Sequence, residues 1–210
     1  MKVKKLSGKV QDAQQIPTLF DHENIMYYPI NIVNWKEYPY QPQVSFRIAY
    51  TNDAILVHYK VVEDSVRAKY GEDNGSVWTD SCVEFFSIPA RDGVYYNLEC
   101  NCIATILLAA GSERSNREMA PLEITDQVKR WASLGRETFE EKIGECTWEV
   151  ALQIPYKVFF KHCRPRPTSA GIGHRRRWKD SRQSKHGSTR QPAEPCRKRP
   201  RHRRIKCVPL

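Results

Sequence analysis

Alternating apolar and polar side chains over residues 44–61 constrain the fold more than any other feature. In VSFRIAY the large apolar side chains fall on every second residue, and after residues 51–53 the run AILVHYKV repeats the pattern. A period of two places successive side chains on opposite sides of an extended chain. The alternation therefore predicts two β-strands joined as a hairpin, each with one face suited to a core.

Three more segments predict strands, each bounded by Gly, Pro, Asp or Asn: residues 81–88, residues 95–109 with a bend, and residues 146–154. Helix is expected for a few turns at most, around residues 63–70 and 156–161. Short strands without sustained helical periodicity predict an all-β fold. The expected architecture is an antiparallel β-sandwich of the immunoglobulin or jelly-roll type.

Charge divides the chain near residue 162. Residues 163–210 hold 16 Lys and Arg against two acidic residues, a net +14, whereas residues 1–162 carry a net −4. The first part is long enough for one domain. The second part has too few apolar residues to offset its ordering entropy. We therefore predict one domain over residues 1–162 and a disordered basic tail over residues 163–210.

Cysteine spacing and hydropathy bear on the cellular setting. The chain has seven cysteines without a CxxC pair, and no apolar run approaches the roughly 18 residues that a membrane span needs. Reduced and mostly buried thiols in a soluble chain are expected. No apolar stretch follows the charged start, which favours the cytoplasm by default.

Polar side chains are concentrated on one face of two neighbouring predicted strands. Asn97, Glu99 and Asn101 alternate with Leu98 and Cys100. In the preceding strand, Glu84 shares its face with Phe86, and Trp78 and Asp80 come just before that strand. Sugar hydroxyls need donors and acceptors on a rigid surface, and the C–H face of a sugar ring stacks on an aromatic ring. The pattern is typical of a carbohydrate site, although a solvated sheet face is the alternative.

A resemblance to a known family supports the first reading. The segments VWTDSCVEFFSIP, YYNLECNCIATILLAAG and CTWEVALQIPYKVFF resemble family 9 carbohydrate-binding modules, most closely the stand-alone family 9-like proteins of gut Bacteroidetes. The resemblance covers roughly residues 20–162. It implies a non-catalytic β-sandwich that holds a glycan between two tryptophans, in support of polysaccharide catabolism by glycoside hydrolases.

The resemblance assigns roles to individual residues. Trp78 matches the first stacking tryptophan, Glu84 the acidic sugar ligand, and Asn101 a hydrogen-bonding asparagine. Glu99 stands where a basic residue is expected. Trp148 and Phe159 are interpreted as packing residues. The predicted carbohydrate-binding residues are Trp78, Asp80, Glu84, Asn97, Glu99 and Asn101.

The family resemblance assigns neither a cofactor nor a cellular compartment to this chain. Some family members bind structural calcium, but no segment here resembles a loop with several oxygen ligands, so no metal is assigned. Modules of this family often act outside the cell, which keeps a secreted or periplasmic location as the alternative to the cytoplasm.

The basic tail departs from the family. Where further strands and the second tryptophan are expected, residues 163–210 read as an Arg- and Pro-rich segment, so the sandwich is expected to be incomplete at its C-terminus. This composition is what translation of a G+C-rich gene in the wrong frame produces, and we predict a frameshift close to residue 162. The alternative is non-specific binding of nucleic acid by the tail.

A glycoside hydrolase is the third alternative. Glu84 and Glu99 could form the carboxylate pair, which requires a separation of about 5 Å for retention or roughly 6.5–9.5 Å for inversion. The sequence leaves that separation open.

Overall fold

The computed structural model describes residues 1–33, residues 40–162 and the backbone of residues 204–206. Its strands are β1 (Lys4–Lys5), β2 (Tyr28–Ile30), β3 (Gln43–Tyr50), β4 (Ala54–Ala68), β5 (Cys82–Ser87), β6 (Tyr95–Asn101), β7 (Ile106–Gly111), β8 (Glu118–Met119), β9 (Lys129–Ala132), β10 (Phe139–Pro155) and β11 (Arg204–Lys206). Its α-helices are α1 (Ile16–His22) and α2 (Leu122–Thr125), and its 3-10 turns are Ala13–Gln15, Val77–Thr79, Arg114–Asn116 and Tyr156–Val158.

The strands form two sheets. A six-stranded sheet has the order β1-β3-β4-β10-β9, with β2 also paired to β3, and a five-stranded sheet has the order β11-β5-β6-β7-β8. The predicted all-β sandwich is confirmed. Among the strands that the structure describes, the pairing is antiparallel except for two short parallel pairs, β1 with β3 and β11 with β5.

Alternating side chains from both sheets form the main core. Val57 and Tyr59 of β4 belong to the same buried cluster as Val83 of β5 and Leu98 of β6. Trp148 of β10 is fully buried in that cluster, and its indole Nε1 donates to Glu63 Oε1 at 2.6 Å. The interpretation of Trp148 as a packing residue agrees with this placement, and the hydrogen bond satisfies its polar atom.

One predicted helix is wrong. Residues 63–68 belong to β4, where Glu63 pairs with Cys146 of β10 and Val66 with Lys142. Val66 and Ala68 are buried in the main core, so pairing and burial outweigh any local helical preference. The second predicted helix is reduced to the 3-10 turn Tyr156–Val158.

The bend expected within residues 95–109 separates β6 from β7. Ala104 lies in the connecting turn with a φ of 57°. Cys100 near the end of β6 and Cys102 in the connection to β7 are buried, as is Cys82 on β5. Burial raises the pKa of the Cys100 thiol to about 12. The prediction of mostly buried thiols therefore agrees with these positions.

The N-terminal segment covers the outer face of the six-stranded sheet. Leu6, Ile16 and Phe20 are buried in one cluster with Leu56 of β4 and Ala151 of β10. The helix α1, which the sequence analysis did not predict, thereby fills this face with apolar contacts.

Several predictions concern the tail. Of residues 163–210, the structure describes only residues 204–206, as strand β11 beside β5. The remaining predictions lie outside the described residues. They are the disorder of the tail, the incomplete C-terminus of the sandwich, the frameshift and the binding of nucleic acid. Within the part of the chain that is described, no helix has the length and apolar character to cross a membrane.

A polar network, in which Arg47 and His58 are buried, lies between the six-stranded sheet and α1. Arg47 Nη2 is 2.9 Å from His58 Nδ1, and His58 Nε2 is 2.9 Å from Glu149 Oε2. A guanidinium offers only donors, so Nδ1 accepts and the imidazole proton on Nε2 is donated to Glu149. Asp21 of α1 pairs with Arg47, and Tyr27 Oη lies 3.4 Å from His58 Nδ1.

This network makes stability depend on pH. Burial, followed by the Arg47 charge, lowers the pKa of His58, while the charges of Glu149 and Asp21 oppose the shift. The unfolded chain therefore binds the proton more readily than the native protein. The stabilisation is complete above the unfolded pKa of about 6.5 and is lost as pH falls below it toward the native pKa.

We expect a lower thermal unfolding midpoint at about pH 5.5 than at about pH 7.5, and a smaller difference in His58→Gln. Circular dichroism melts of both proteins at the two pH values measure it. His22→Gln is the matched control, because the His22 side chain is 84% exposed, and it should keep the full pH dependence. Undiminished pH dependence in His58→Gln would contradict the assignment.

Candidate functional site

The outer face of the five-stranded sheet carries a cavity of about 360 Å³. Strands β6, β7 and β8 contribute to its wall, together with the 3-10 turns Val77–Thr79 and Arg114–Asn116. Its lining residues are Trp78, Glu99, Leu107, Ala109, Arg114, Arg117 and Met119. The cavity therefore combines an aromatic ring and apolar side chains with one carboxylate and two guanidinium groups.

Trp78 is held by a small apolar cluster behind the cavity. Val77 is fully buried in this cluster with Cys82, Leu107 and Ala109, and Trp78 packs against it while remaining partly exposed. The tight turn before β5 thus fixes the backbone through Val77. The neighbouring indole keeps part of its surface open to the cavity.

The two predicted acids face each other across β5 and β6. Glu84 pairs in register with Glu99, and both residues are buried, with 3% and 5% of their surface exposed. Only Glu99 lines the cavity. Asn97 Nδ2 donates to Glu99 Oε1 at 2.7 Å, and this hydrogen bond orients the carboxylate. Asn97 Oδ1 is buried and has no hydrogen-bond partner among the described residues.

Asp80 and Asn101 make hydrogen bonds within the protein. Asn101 Nδ2 donates to Asp80 Oδ2 at 3.0 Å and to the Tyr70 carbonyl oxygen at 2.8 Å. Asn101 Oδ1 accepts from the backbone N–H groups of Ile103 and Thr105 at 3.3 and 2.9 Å. Asn101 is fully buried, so these contacts favour a role in shaping the β6–β7 turn over direct contact with a ligand.

The sequence analysis missed the two arginines of the cavity. Arg114 and Arg117 form no ion pair with any residue that the structure describes. The Arg117 Cζ atom lies 5.9 Å from the Tyr95 ring centroid, and its buried Nε has no hydrogen-bond partner in the same part of the chain. Strand parity gives no signal for them, because both lie in the irregular connection between β7 and β8.

Metal ligands were left open by the sequence. Among residues 1–33 and 40–162, no group of three or more His, Cys, Asp or Glu side chains could hold a metal ion.

A family model described as carbohydrate-binding family 9 matches residues 14–166. The chain belongs to carbohydrate-binding family 9. The family agrees with the observed sandwich and confirms the resemblance. Among curated proteins, no sequence matches this chain.

Solved structures give two further comparisons. The first is the crystal structure of a protein from Bacteroides uniformis ATCC 8492 whose expected role is carbohydrate binding. That protein is 48% identical in sequence to this chain, and the two structures align with a TM-score of 0.75. The match covers 79% of this chain and 76% of that one. A family 9 carbohydrate-binding module from Caldicellulosiruptor kristjanssonii in complex with cellotriose is 11% identical with a TM-score of 0.45, over 72% of this chain and 66% of that one.

The hydrogen bonds of Asn101 predict a large stability effect. Asn101→Ala removes four hydrogen bonds and leaves buried backbone N–H groups without acceptors, so we expect a loss of about 3 kcal/mol in the free energy of unfolding. Asn97→Ala is the matched control, since Asn97 lies four residues earlier on the same strand face and loses one side-chain hydrogen bond. Urea denaturation measures the free energy of unfolding of both variants and of the unsubstituted protein. An equal or smaller loss in Asn101→Ala would refute the structural role.

Proposed function

We propose that the outer face of the five-stranded sheet binds a carbohydrate without cleaving it, in support of polysaccharide catabolism. The observation that carries the proposal is the cavity in which Trp78 and the apolar residues Leu107 and Ala109 lie beside Glu99 and two arginines. Sugars present C–H faces and hydroxyl edges, and this lining offers a matching surface for each.

Three cavity residues, Trp78, Glu99 and Arg117, have separate roles in this proposal. The partly exposed indole of Trp78 provides the stacking surface. The carboxylate of Glu99, oriented by Asn97, accepts hydrogen bonds from hydroxyl groups, and Arg117 donates them. Glu84 lies opposite Glu99 on the neighbouring strand and does not line the cavity.

Membership of carbohydrate-binding family 9 supports the proposal. The Bacteroides uniformis relative, whose expected role is carbohydrate binding, also supports the proposal. It has the same fold and is 48% identical to this chain over most of the length of both proteins. We further propose that the protein presents its glycan to a glycoside hydrolase partner, as the family resemblance implies.

Catalysis by Glu84 and Glu99 is less consistent with the geometry. A glycosidase needs both carboxyl groups beside the scissile bond. Glu99 lines the cavity, but Glu84 does not. Turnover of aryl glycosides that is lost in Glu84→Gln would favour the hydrolase; binding without turnover favours the module.

Removal of the indole tests the site. We expect Trp78→Ala to weaken glycan binding about fivefold or more, because stacking on the order of 1 kcal/mol is lost. Isothermal titration calorimetry with gluco-, xylo- and galacturono-oligosaccharides measures the affinity.

Trp131→Ala is the matched control for this substitution. Trp131 is a partly buried tryptophan of β9 that packs against the N-terminal cluster on the other sheet. Thermal melts check that both variants fold. Glycan affinity that survives Trp78→Ala, or falls equally in Trp131→Ala, would show that the cavity is not the binding site.

A further inference from the structure

The cavity on the five-stranded sheet has an unbalanced set of charges. Of its charged lining residues, Arg114 and Arg117 are cationic and Glu99 is anionic. Glu99 is engaged with Asn97 at 2.7 Å. Neither guanidinium has an ion-pair partner among the described residues. The uncompensated charge in the cavity is therefore positive.

Arg117 carries a second observation that points to a ligand. Its Nε atom is buried and makes no hydrogen bond with any described residue. An unsatisfied buried donor is costly, and the cost is larger for a charged group. Tyr95 lies beneath the guanidinium, with 5.9 Å between Cζ and the ring centroid, and the aromatic contact holds the group without using its donors. An anionic acceptor in the cavity would compensate the charge of this guanidinium group.

A carboxylate is the ligand group that fits an arginine best. The planar guanidinium presents parallel N–H donors that match the two oxygens of a carboxylate, and such charge-assisted bonds are stronger than bonds to neutral hydroxyls. A neutral sugar would leave both positive charges uncompensated. A sugar that carries a carboxylate would satisfy them.

We propose that the preferred ligand is a glycan containing a uronic acid residue. Its carboxylate pairs with Arg117 and Arg114, its ring lies beside Trp78, and its hydroxyl groups donate to Glu99. This inference rests on the proposed carbohydrate-binding function and names the class of sugar that the site selects.

The buried acids do not oppose this ligand strongly. Glu84 is one strand further from the arginines and does not line the cavity. Glu99 faces the hydroxyl end of the proposed ligand, where an acceptor is required. In this pose the carboxylate and the hydroxyl groups contact residues of opposite charge, which gives the sugar a defined orientation.

The test compares charged and neutral forms of one glycan. Isothermal titration calorimetry of the full chain with trigalacturonic acid and with its methyl ester measures the ratio of the two affinities. We expect the acid to bind about tenfold more tightly or better, because a charge-assisted pair replaces a neutral contact. The double variant Arg114→Gln/Arg117→Gln should bring the ratio close to one.

The basic residues 163–210 attract any anion, so a matched control is required. Lys5→Gln/Lys9→Gln removes two positive charges from exposed residues of the N-terminal segment and leaves the tail unchanged. It should keep the ratio of the wild-type protein. Titration at raised salt separates the contributions, because diffuse attraction to the tail is screened more strongly than a partly buried pair.

The outcomes separate this inference from the proposed function. A ratio that falls only in the arginine variant supports the inference. Equal affinity for acid and ester, or an equal fall in both double variants, overturns it while glycan binding stands. Absence of binding to both forms and to neutral oligosaccharides overturns the inference and the proposed function together.

Discussion

One face of the five-stranded sheet packs in the core, and this packing determines where the site lies. Val83 on β5 and Leu98 on β6 are buried against the six-stranded sheet. Because side chains alternate along a strand, Glu84 and Glu99 must lie on the opposite face. A one-residue slip of either strand would move its carboxylate into the apolar core, at a cost of several kcal/mol. The same constraint therefore fixes the strand register and places the polar residues outward.

The two outer faces of the sandwich differ in what covers them. The N-terminal segment and α1 fill the outer face of the six-stranded sheet, and the Arg47–His58–Glu149 network lies under that cover with its polar groups hydrogen-bonded to one another. The outer face of the five-stranded sheet has no comparable apolar cover among the described residues. Instead it carries the cavity, where donors and acceptors remain available to a ligand.

Periodicity predicted the parts of this structure that depend on one strand at a time. The hairpin of β3 and β4, the bend after β6 and the outward face with Asn97 and Glu99 followed from alternation. The helix expected at residues 63–70 was wrong because pairing with the distant β10 decides that segment. The two arginines were missed because no repeating pattern fixes the path between β7 and β8. Alternation along β6 predicted the sheet face on which Asn101 lies. It could not show that the Asn101 side chain is fully engaged in hydrogen bonds within the protein.

The site divides into a rigid part and an adaptable part. The hydrogen bonds of Asn101 shape the β6–β7 turn, and this turn sets the register that brings Leu107 beside Glu99. Trp78 packs against the same cluster through Leu107 and Ala109. The aromatic wall and the acceptor are thus organised during folding, which reduces the ordering cost of binding. Arg114 and Arg117 instead lie on the connection between β7 and β8, where sequence changes leave the sheets intact. In the proposed site the stacking surface is therefore part of the fold, whereas the proposed preference for charged sugars depends on this connection.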